Sequence, residues 1–513
     1  MFNIFSIFFG KGRSWQKLSL KNKKVVVMGI GLHGGGVSMI KWLVQQGARV
    51  VATDKKSRDV LAPSLNKLKK IIKNKKVELV IGRHRLDDFR SADMIVKNPM
   101  IPWSNVYIKV AKKKHIDVEM DSSLFFQLCP SKKIIGITGT KGKTTTAHIV
   151  KEILEKAGKK TVLVGVGQIA VMDKLKSIKK NTYVIFELSS WRLSALRYKK
   201  ISPRYAIVTN IYPDHLNYYK KMSSYIKDKM TIVKYQKKNS IAVLNYDDKE
   251  VRNFADETRA KVSFYSFKDS YSIIHDVYVD EGQIKYRLGA DEGVICSLDE
   301  LKLKGEHNVY NFMAAITLTL QLGISLKNIK KAIIGFKGIP HRLEFVGTAK
   351  GVYLYNDSAA TTPEASVAGI DTFIQKDSLV NIYLIAGGSS KKLNMNSLAD
   401  KIVEAEQIKK VVILKGLAGE ELVKLIKKKG GEKKIVGMSG EMMEAVKFLA
   451  QEIKSAEERR ENNSSEFNDE DQGKNILLLS PGSASFGVFK NEFDRGKQFK
   501  DSVKKVFGVK LKK

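Results

Sequence analysis

A chain of 513 residues with 43% hydrophobic composition is too long for one core and apolar enough for several, so domains of roughly 100 to 200 residues are expected. The 91 Lys and Arg against 53 Asp and Glu leave a net charge of +38, but the lysines are scattered (Lys67 to Lys76, Lys112 to Lys114, Lys174 to Lys180, Lys427 to Lys434) and no zinc-ligand spacing, RNP-like strand or basic zipper accompanies them, so no specific nucleic-acid partner is expected. No apolar run reaches the roughly 18 to 20 residues of a transmembrane segment, and two cysteines, Cys129 and Cys296, make no disulfide framework, which suits a reducing cytoplasm.

Met1 to Phe9 is apolar but is stopped by Gly10-Lys-Gly-Arg13 and lacks a basic leader, so residues 1–21 read as an appended extension. The first block, 22–118, opens with a strand from Val25 to Met28, a glycine turn, a helix from Val37 to Gln46 and a strand from Arg49 to Thr53. Its turn is Gly29-Ile-Gly31-Leu32-His33-Gly34, with Asp54 ending the next strand. That is a dinucleotide-binding fingerprint, with glycines for a pyrophosphate and Asp54 for a ribose hydroxyl or similar donor. A nucleotide-linked sugar carries the same pyrophosphate as NAD, so the motif does not choose between them.

The second block, 119–338, carries Gly136-Ile-Thr-Gly139-Thr140-Lys141-Gly142-Lys143-Thr144 between an apolar run and a helix from Lys143 to Ala157. Backbone N–H groups bared by glycine, the helix N-terminus, the Lys143 charge and the Thr144 hydroxyl make a loop for nucleotide phosphates and Mg²⁺. Gly136 and Gly142 have five residues between them, one more than the general P-loop allows, so the loop reads as a variant. Glu187 ends the strand from Tyr183 to Phe186, where a carboxylate suits Mg²⁺, and His215 follows the strand from Tyr205 to Val208 in a loop with Asn210 and Asp214. By sequence alone Lys229 is a surface lysine.

The third block, 339–513, has strands Val352 to Tyr355, Val380 to Ile385, Val411 to Leu414 and Ile476 to Leu479 between helical patterns; residues 455–474, rich in Glu, Asn, Ser and Asp, read as a disordered surface loop. The fold class is therefore α/β with three domains: a Rossmann-like N-terminal domain, a central P-loop ATPase-like domain and a C-terminal Rossmann-like domain.

The runs Gly139-Thr-Lys-Gly-Lys-Thr-Thr145, Glu187-Leu-Ser-Ser190, Asn210-Ile-Tyr-Pro-Asp-His-Leu216, Gly305-Glu-His-Asn-Val-Tyr-Asn311, Pro340-His-Arg-Leu-Glu344 and Asn356-Asp-Ser358 resemble, in order and spacing, the Mur ligases. These are ATP-dependent amide ligases of peptidoglycan synthesis, with kinship to folylpolyglutamate synthase. The resemblance covers about residues 22 to 510, and the N-terminal block with Leu479 to Gly496 narrows it to the branch that joins UDP-N-acetylmuramoyl-L-alanine to D-glutamate. It implies ATP contacts at Gly139, Thr140, Lys141, Gly142, Lys143, Thr144, Thr145, Asn308, Arg342 and Asp357, with ATP between the second and third blocks and domain closure completing the site. It implies contacts to the UDP-substrate at Gly31, Leu32, His33, Asp54 and Gln168, and to D-glutamate at Thr361, Lys391 and Ser485. Two Mg²⁺ ions are implied, one on Thr144 and Glu187, the other on His215 and a carbamylated Lys229; Lys143, His215 and Lys229 are the implied catalytic residues. A cytoplasmic monomer is expected.

Departures fall on the amino-acid contacts. Ala359 stands where many relatives have Lys, Glu492 where they often have Phe, with Phe493 displaced by one, and Gln168 where an Asn often binds the muramoyl substrate. A different acceptor amino acid on the same fold, or a nicotinamide-binding or non-enzymatic nucleotide-binding protein, remain the alternatives.

Overall fold

The apolar runs separated by amphipathic helices form three sheets. The computed structural model describes residues 19–32, 34–73, 76–166, 170–214, 216–268, 274–303, 305–374, 379–390, 393–462, 473–485 and 488–508. His33, Gln168, His215 and Lys391 lie outside the described residues, as does most of the 1–21 extension.

The first sheet is parallel throughout, in the order Val77–Ile81, Arg49–Asp54, Lys24–Met28, Met94–Lys97, Asp117–Glu119. Its central strand is covered on both faces, which is why Val25, Val26 and Val27 run consecutively and all are buried. Winding reverses between Lys24–Met28 and Met94–Lys97, so a crevice opens at their carboxyl ends. The helix Gly35–Gln45 begins immediately above it; a Cβ on Gly36 would stand 2.3 Å from the Ile30 carbonyl oxygen, so Gly36 lets helix and strand end approach.

The second sheet has nine strands, ordered Asp291–Ser297, Gln283–Leu288, His275–Asp280, Lys261–Ser266, Ile241–Asn245, Tyr205–Val208, Ile134–Thr138, Tyr183–Glu187, Thr161–Val164. The first three are joined antiparallel, and all other pairings are parallel. Ile134–Thr138 lies between Tyr205–Val208 and Tyr183–Glu187, so the loops leaving these three strands share one edge. Both sheets belong to one compact unit, Met1–Phe336. Polar contacts pin them together: Ser38 Oγ donates to Asp173 at 2.5 Å, Trp103 Nε1 to Ser194 Oγ at 2.8 Å, and Lys199 pairs with Glu119 at 2.6 Å.

The second unit, Lys337–Lys513, is built on a six-stranded sheet ordered Glu344–Ala349, Val352–Asn356, Lys474–Leu479, Val380–Gly387, Ile408–Leu414, Ile435–Ser439, with only Glu344–Ala349 antiparallel. Apolar clusters fill both of its faces, one around Leu449, Phe499 and Val503, the other around Leu398, Ile402 and Leu422.

Two expectations change. The first eight residues of the 455–474 loop are helical, because Met442–Asn462 is one helix. Its buried Ala445, Val446, Leu449 and Ile453 anchor it, and Asn475 Nδ2 donates to Glu457 at 2.9 Å; the charged composition marks a solvated helix face rather than a loop. Residues 463–472 of that segment lie outside the described residues. Gly136, taken as the first loop glycine, sits within the strand Ile134–Thr138; a Cβ there would stand 2.6 Å from Pro203 Cγ and 3.0 Å from Leu188 Cδ1. The loop proper is Gly139 to Gly142, with two residues between its glycines, so the five-residue spacing counted from Gly136 is not a property of the loop. Gly136→Ala is therefore expected to lower stability by about 1–3 kcal/mol through overpacking while leaving nucleotide affinity within about twofold, measured by denaturant unfolding and ADP titration.

Candidate functional site

The strand Ile134–Thr138 delivers the chain into the loop, and Gly142 in the left-handed region (φ 84°) turns it into the helix Lys143–Lys156. Neither loop glycine tolerates a side chain: a Cβ on Gly139 would lie 1.8 Å from Thr209 Oγ1, and one on Gly142 would lie 2.2 Å from Asn311 Oδ1. The segment after Tyr205–Val208 grips the loop from the other side. Thr140 N donates to Asn210 O at 2.9 Å, Lys141 N to Asn210 Oδ1 at 2.8 Å, and Thr209 Oγ1 to Lys141 O at 2.6 Å. With two loop N–H groups so engaged, the N-terminal turn of Lys143–Lys156 is the loop's anion-facing donor set. Lys143 Nζ donates to Gly139 O and Thr140 O, both at 3.0 Å, and Thr144 Oγ1 to Glu187 Oε2 at 2.6 Å.

Lys229 is not a surface lysine. It lies on the helix Met222–Lys234, is 2% exposed, and donates from Nζ to Gly139 O at 2.7 Å. Its ammonium position is 4.8 Å from the Tyr225 ring centroid, and the Tyr225 hydroxyl bonds Thr140 Oγ1 at 3.0 Å. Burial, reinforced by the Lys143 charge and opposed by Asp214 and Glu187, holds its pKa well below the ordinary lysine value, which favours the uncharged amine at this place beside the phosphate loop. Sequence alone missed Tyr225, Asn210 and Asn311. Asn210 and Asn311 stood inside recognised runs, but the Asn210 side chain accepts from Lys141 N and that of Asn311 lies against Gly142, both far away in the chain.

In the first sheet's crevice, Gly29, Ile30, Gly31, Leu32, Asn98, Asp121 and Arg192 line a cavity of about 300 Å³. Asp54 is buried, accepting from Gly31 N and Lys56 N, both at 3.0 Å, so it shapes the glycine turn directly. Lys97, on the same wall, is 1% exposed; burial lowers its pKa to about 7, and its Nζ donates to Ile101 O at 2.9 Å.

In the second unit, Asp357 follows Val352–Asn356 and is enclosed, its carboxylate accepting from Leu343 N at 3.1 Å and Ser480 Oγ at 2.9 Å, with the exposed Arg342 charge nearby. Thr361 lies further along the same loop, half-buried, and Ser485 lies in the loop after Lys474–Leu479. Among the described residues Ser485 Oγ is buried without a hydrogen-bond partner. Asn308, in the first turn of Glu306–Gln321 of the first unit, is buried beside Asn311.

Fold and site together define an α/β protein whose glycine loop, acidic strand end and buried lysine form one nest of the kind that suits nucleotide phosphates. Family models match three stretches: the Mur ligase MurD-like N-terminal domain at 23–119, the Mur ligase middle domain at 137–319, and the Mur ligase glutamate ligase domain at 341–458. The UDP-N-acetylmuramoylalanine--D-glutamate ligase of Roseiflexus sp. (strain RS-1) is 34% identical over 495 residues, covering 95% of this chain and 99% of that one. The enzyme of that name from Borreliella afzelii (strain PKo) is 33% identical over 491 residues, covering 94% and 98%. The chain belongs to the Mur ligase family. Solved structures share the fold: MurF from Acinetobacter baumannii aligns at TM-score 0.52 and 16% identity over 94% of this chain and 92% of that one. MurC from Thermotoga maritima aligns at TM-score 0.50 and 18% identity over 94% and 100%.

Burial raises the Asp357 pKa from 3.8 to about 7. Between about pH 4 and 7 the folded chain keeps a proton that the unfolded chain has released, so this group lowers stability as pH rises through that window. Asp357→Asn is expected to flatten that fall, read as the difference between variant and wild-type unfolding free energies across the window; parallel curves would contradict the assignment.

Proposed function

We propose that this chain adds D-glutamate to UDP-N-acetylmuramoyl-L-alanine in peptidoglycan precursor synthesis, using ATP to activate the muramoyl-alanine carboxylate. Its relatives carry that name over nearly their full lengths. The observation that carries the reading is the buried Lys229, its pKa lowered by burial, held against the phosphate loop at Gly139 O. Residues 22–118, 119–338 and 339–513 act as the UDP-substrate, ATP and amino-acid domains.

A carboxylate forms no amide at neutral pH because oxide is a poor leaving group. A carboxylate oxygen therefore takes the γ-phosphoryl as the bond to ADP breaks, giving an acyl phosphate. The D-glutamate amine, having lost its extra proton, attacks the acyl carbon; the tetrahedral intermediate collapses, expelling inorganic phosphate. Here the protein positions groups and neutralises charge. Lys143 meets the transferred phosphate from the helix N-terminus, and the loop amides hold the chain that carries it. Asn308 is the proposed adenine contact, Arg342 and Asp357 the contacts to phosphate and ribose. Gly31, Leu32, His33, Asp54 and Gln168 take the UDP-substrate; Thr361, Lys391 and Ser485 take the D-glutamate carboxylates, and the partnerless Ser485 hydroxyl suits that task.

Thr144 and Glu187 are a hard-oxygen pair already in contact at 2.6 Å, which fits Mg²⁺. Thr144 and Glu187 would hold the ion from the protein side. When bound, Mg²⁺ offsets the phosphate charge. A second ion calls for an acidic ligand where the chain has Lys229; its neutral amine can add CO₂, releasing one proton and becoming a carbamate anion that keeps one N–H. With His215, that anion would hold the second ion.

Phosphate release is the test, with ATP, Mg²⁺, UDP-N-acetylmuramoyl-L-alanine and a panel of D- and L-amino acids. D-glutamate is expected to stand well above the panel; turnover with another amino acid instead would assign the different acceptor that Ala359 and Glu492 leave open. Lys229→Ala is expected to lose at least about 100-fold in kcat and to regain part of it with added short carboxylic acids. Absence of rescue in a folded variant would count against the carbamate.

A further inference from the structure

Three adjacent strands of the second unit, Val352–Asn356, Lys474–Leu479 and Val380–Gly387, end in the loops that carry Thr361, Ser485 and Lys391. One side chain lies at their junction. Arg495, on the helix Glu492–Phe507, is 0% exposed and heads the fully buried side chains by size. Its Nε donates to Ser358 Oγ at 3.1 Å, its Nη2 to Ser358 O at 2.9 Å, and both Nη1 and Nη2 to Ser483 O at 3.2 Å. A Cβ on Gly388, in the third loop, would lie 3.7 Å from Nη1. The guanidinium thus spans two strand-end loops and abuts the third.

The rest of the junction is arranged around that group. Ser483 Oγ donates to Gly387 O at 2.6 Å, Ser389 N to Ala484 O at 3.0 Å, and Ser358 Oγ to Glu492 O at 2.7 Å. Among the described residues Arg495's acceptors are neutral carbonyls and a hydroxyl, and the neighbouring Glu492 and Asp357 carboxyl groups favour its charged form. A buried cation is costly unless its donors are met, so the loops are held where their oxygens meet the planar fork. Lysine has the charge but not five donors in one plane.

We propose that Arg495 is a positioning residue for the incoming amino acid: it laces the three loops so that Thr361, Ser485 and the 387–390 segment present their groups to one carboxylate-bearing ligand. This rests on the amino-acid role assigned to those loops above. It also gives Glu492 a purpose, as a counter-charge to Arg495, in place of the apolar ring common among relatives.

The test is steady-state kinetics of the full chain with Arg495→Lys, together with Arg495→Ala in the presence and absence of guanidinium. In Arg495→Lys the KM for the amino acid should rise at least about tenfold while that for the UDP-substrate stays within about twofold, corresponding to loss of one or two charge-assisted hydrogen bonds. Guanidinium should restore part of the amino-acid affinity of Arg495→Ala. An unchanged amino-acid KM in Arg495→Lys, or an equal rise in both KM values with a lowered melting temperature, overturns the proposal; if Arg495→Ala does not fold, the Arg495→Lys result decides. Wild-type turnover with D-glutamate is the control: its absence would undo the functional reading, whereas its presence with an unmoved KM in the variant would undo this inference alone.

Discussion

The 2.7 Å hydrogen bond from Lys229 Nζ to the Gly139 carbonyl oxygen is the contact on which the nucleotide half of this molecule depends. It joins the helix Met222–Lys234 to the end of the strand Ile134–Thr138, and so brings an amine from one element to the phosphate loop of another. A lysine buried to 2% exposure keeps its charge only at a cost, and beside Lys143 its pKa is pushed down toward the neutral form. The neutral form donates to a carbonyl and is also the form that reacts with CO₂. Structural anchoring and chemical readiness follow from one desolvation.

The two compact units use a common device on different sheets. Parallel strands leave their loops on one edge, where ligands bind, but a loop at an edge has polar backbone to satisfy and little to hold it. In the first unit Asn210, Thr209 and Asn311 brace the phosphate loop, and Asp54 braces the Gly31 turn. In the second, Arg495, Ser483 and Ser358 do so. Each brace reaches across from a separate element, so the geometry of either site is a property of the packed sheet rather than of its own loop.

That explains what could be read from sequence. The glycine loop, the Gly29 to Gly34 turn and the buried strands were legible because each is written in neighbouring residues: an apolar run, glycines, a helix start. The local character of Gly136 misled, since only Pro203 and Leu188, packed against it from elsewhere, show that it belongs to the strand. Lys229 read as a surface lysine, and nothing singled out Arg495 within its run, because burial is a tertiary fact. The antiparallel pairings of His275–Asp280, Gln283–Leu288 and Asp291–Ser297 escaped notice, their mixed burial giving no continuous apolar run. The helix to Asn462 was hidden under a polar composition that reports solvent contact and not disorder.

Central to the account is the proposal that the Lys229 amine, its pKa lowered by burial, is converted to a carbamate beside the phosphate loop. Carbon-13 NMR of the protein equilibrated with ¹³C-bicarbonate and Mg²⁺ measures this directly. A carbamate resonance present in the wild type and missing from Lys229→Ala is the predicted result; a fully active wild type with no such resonance would contradict the account.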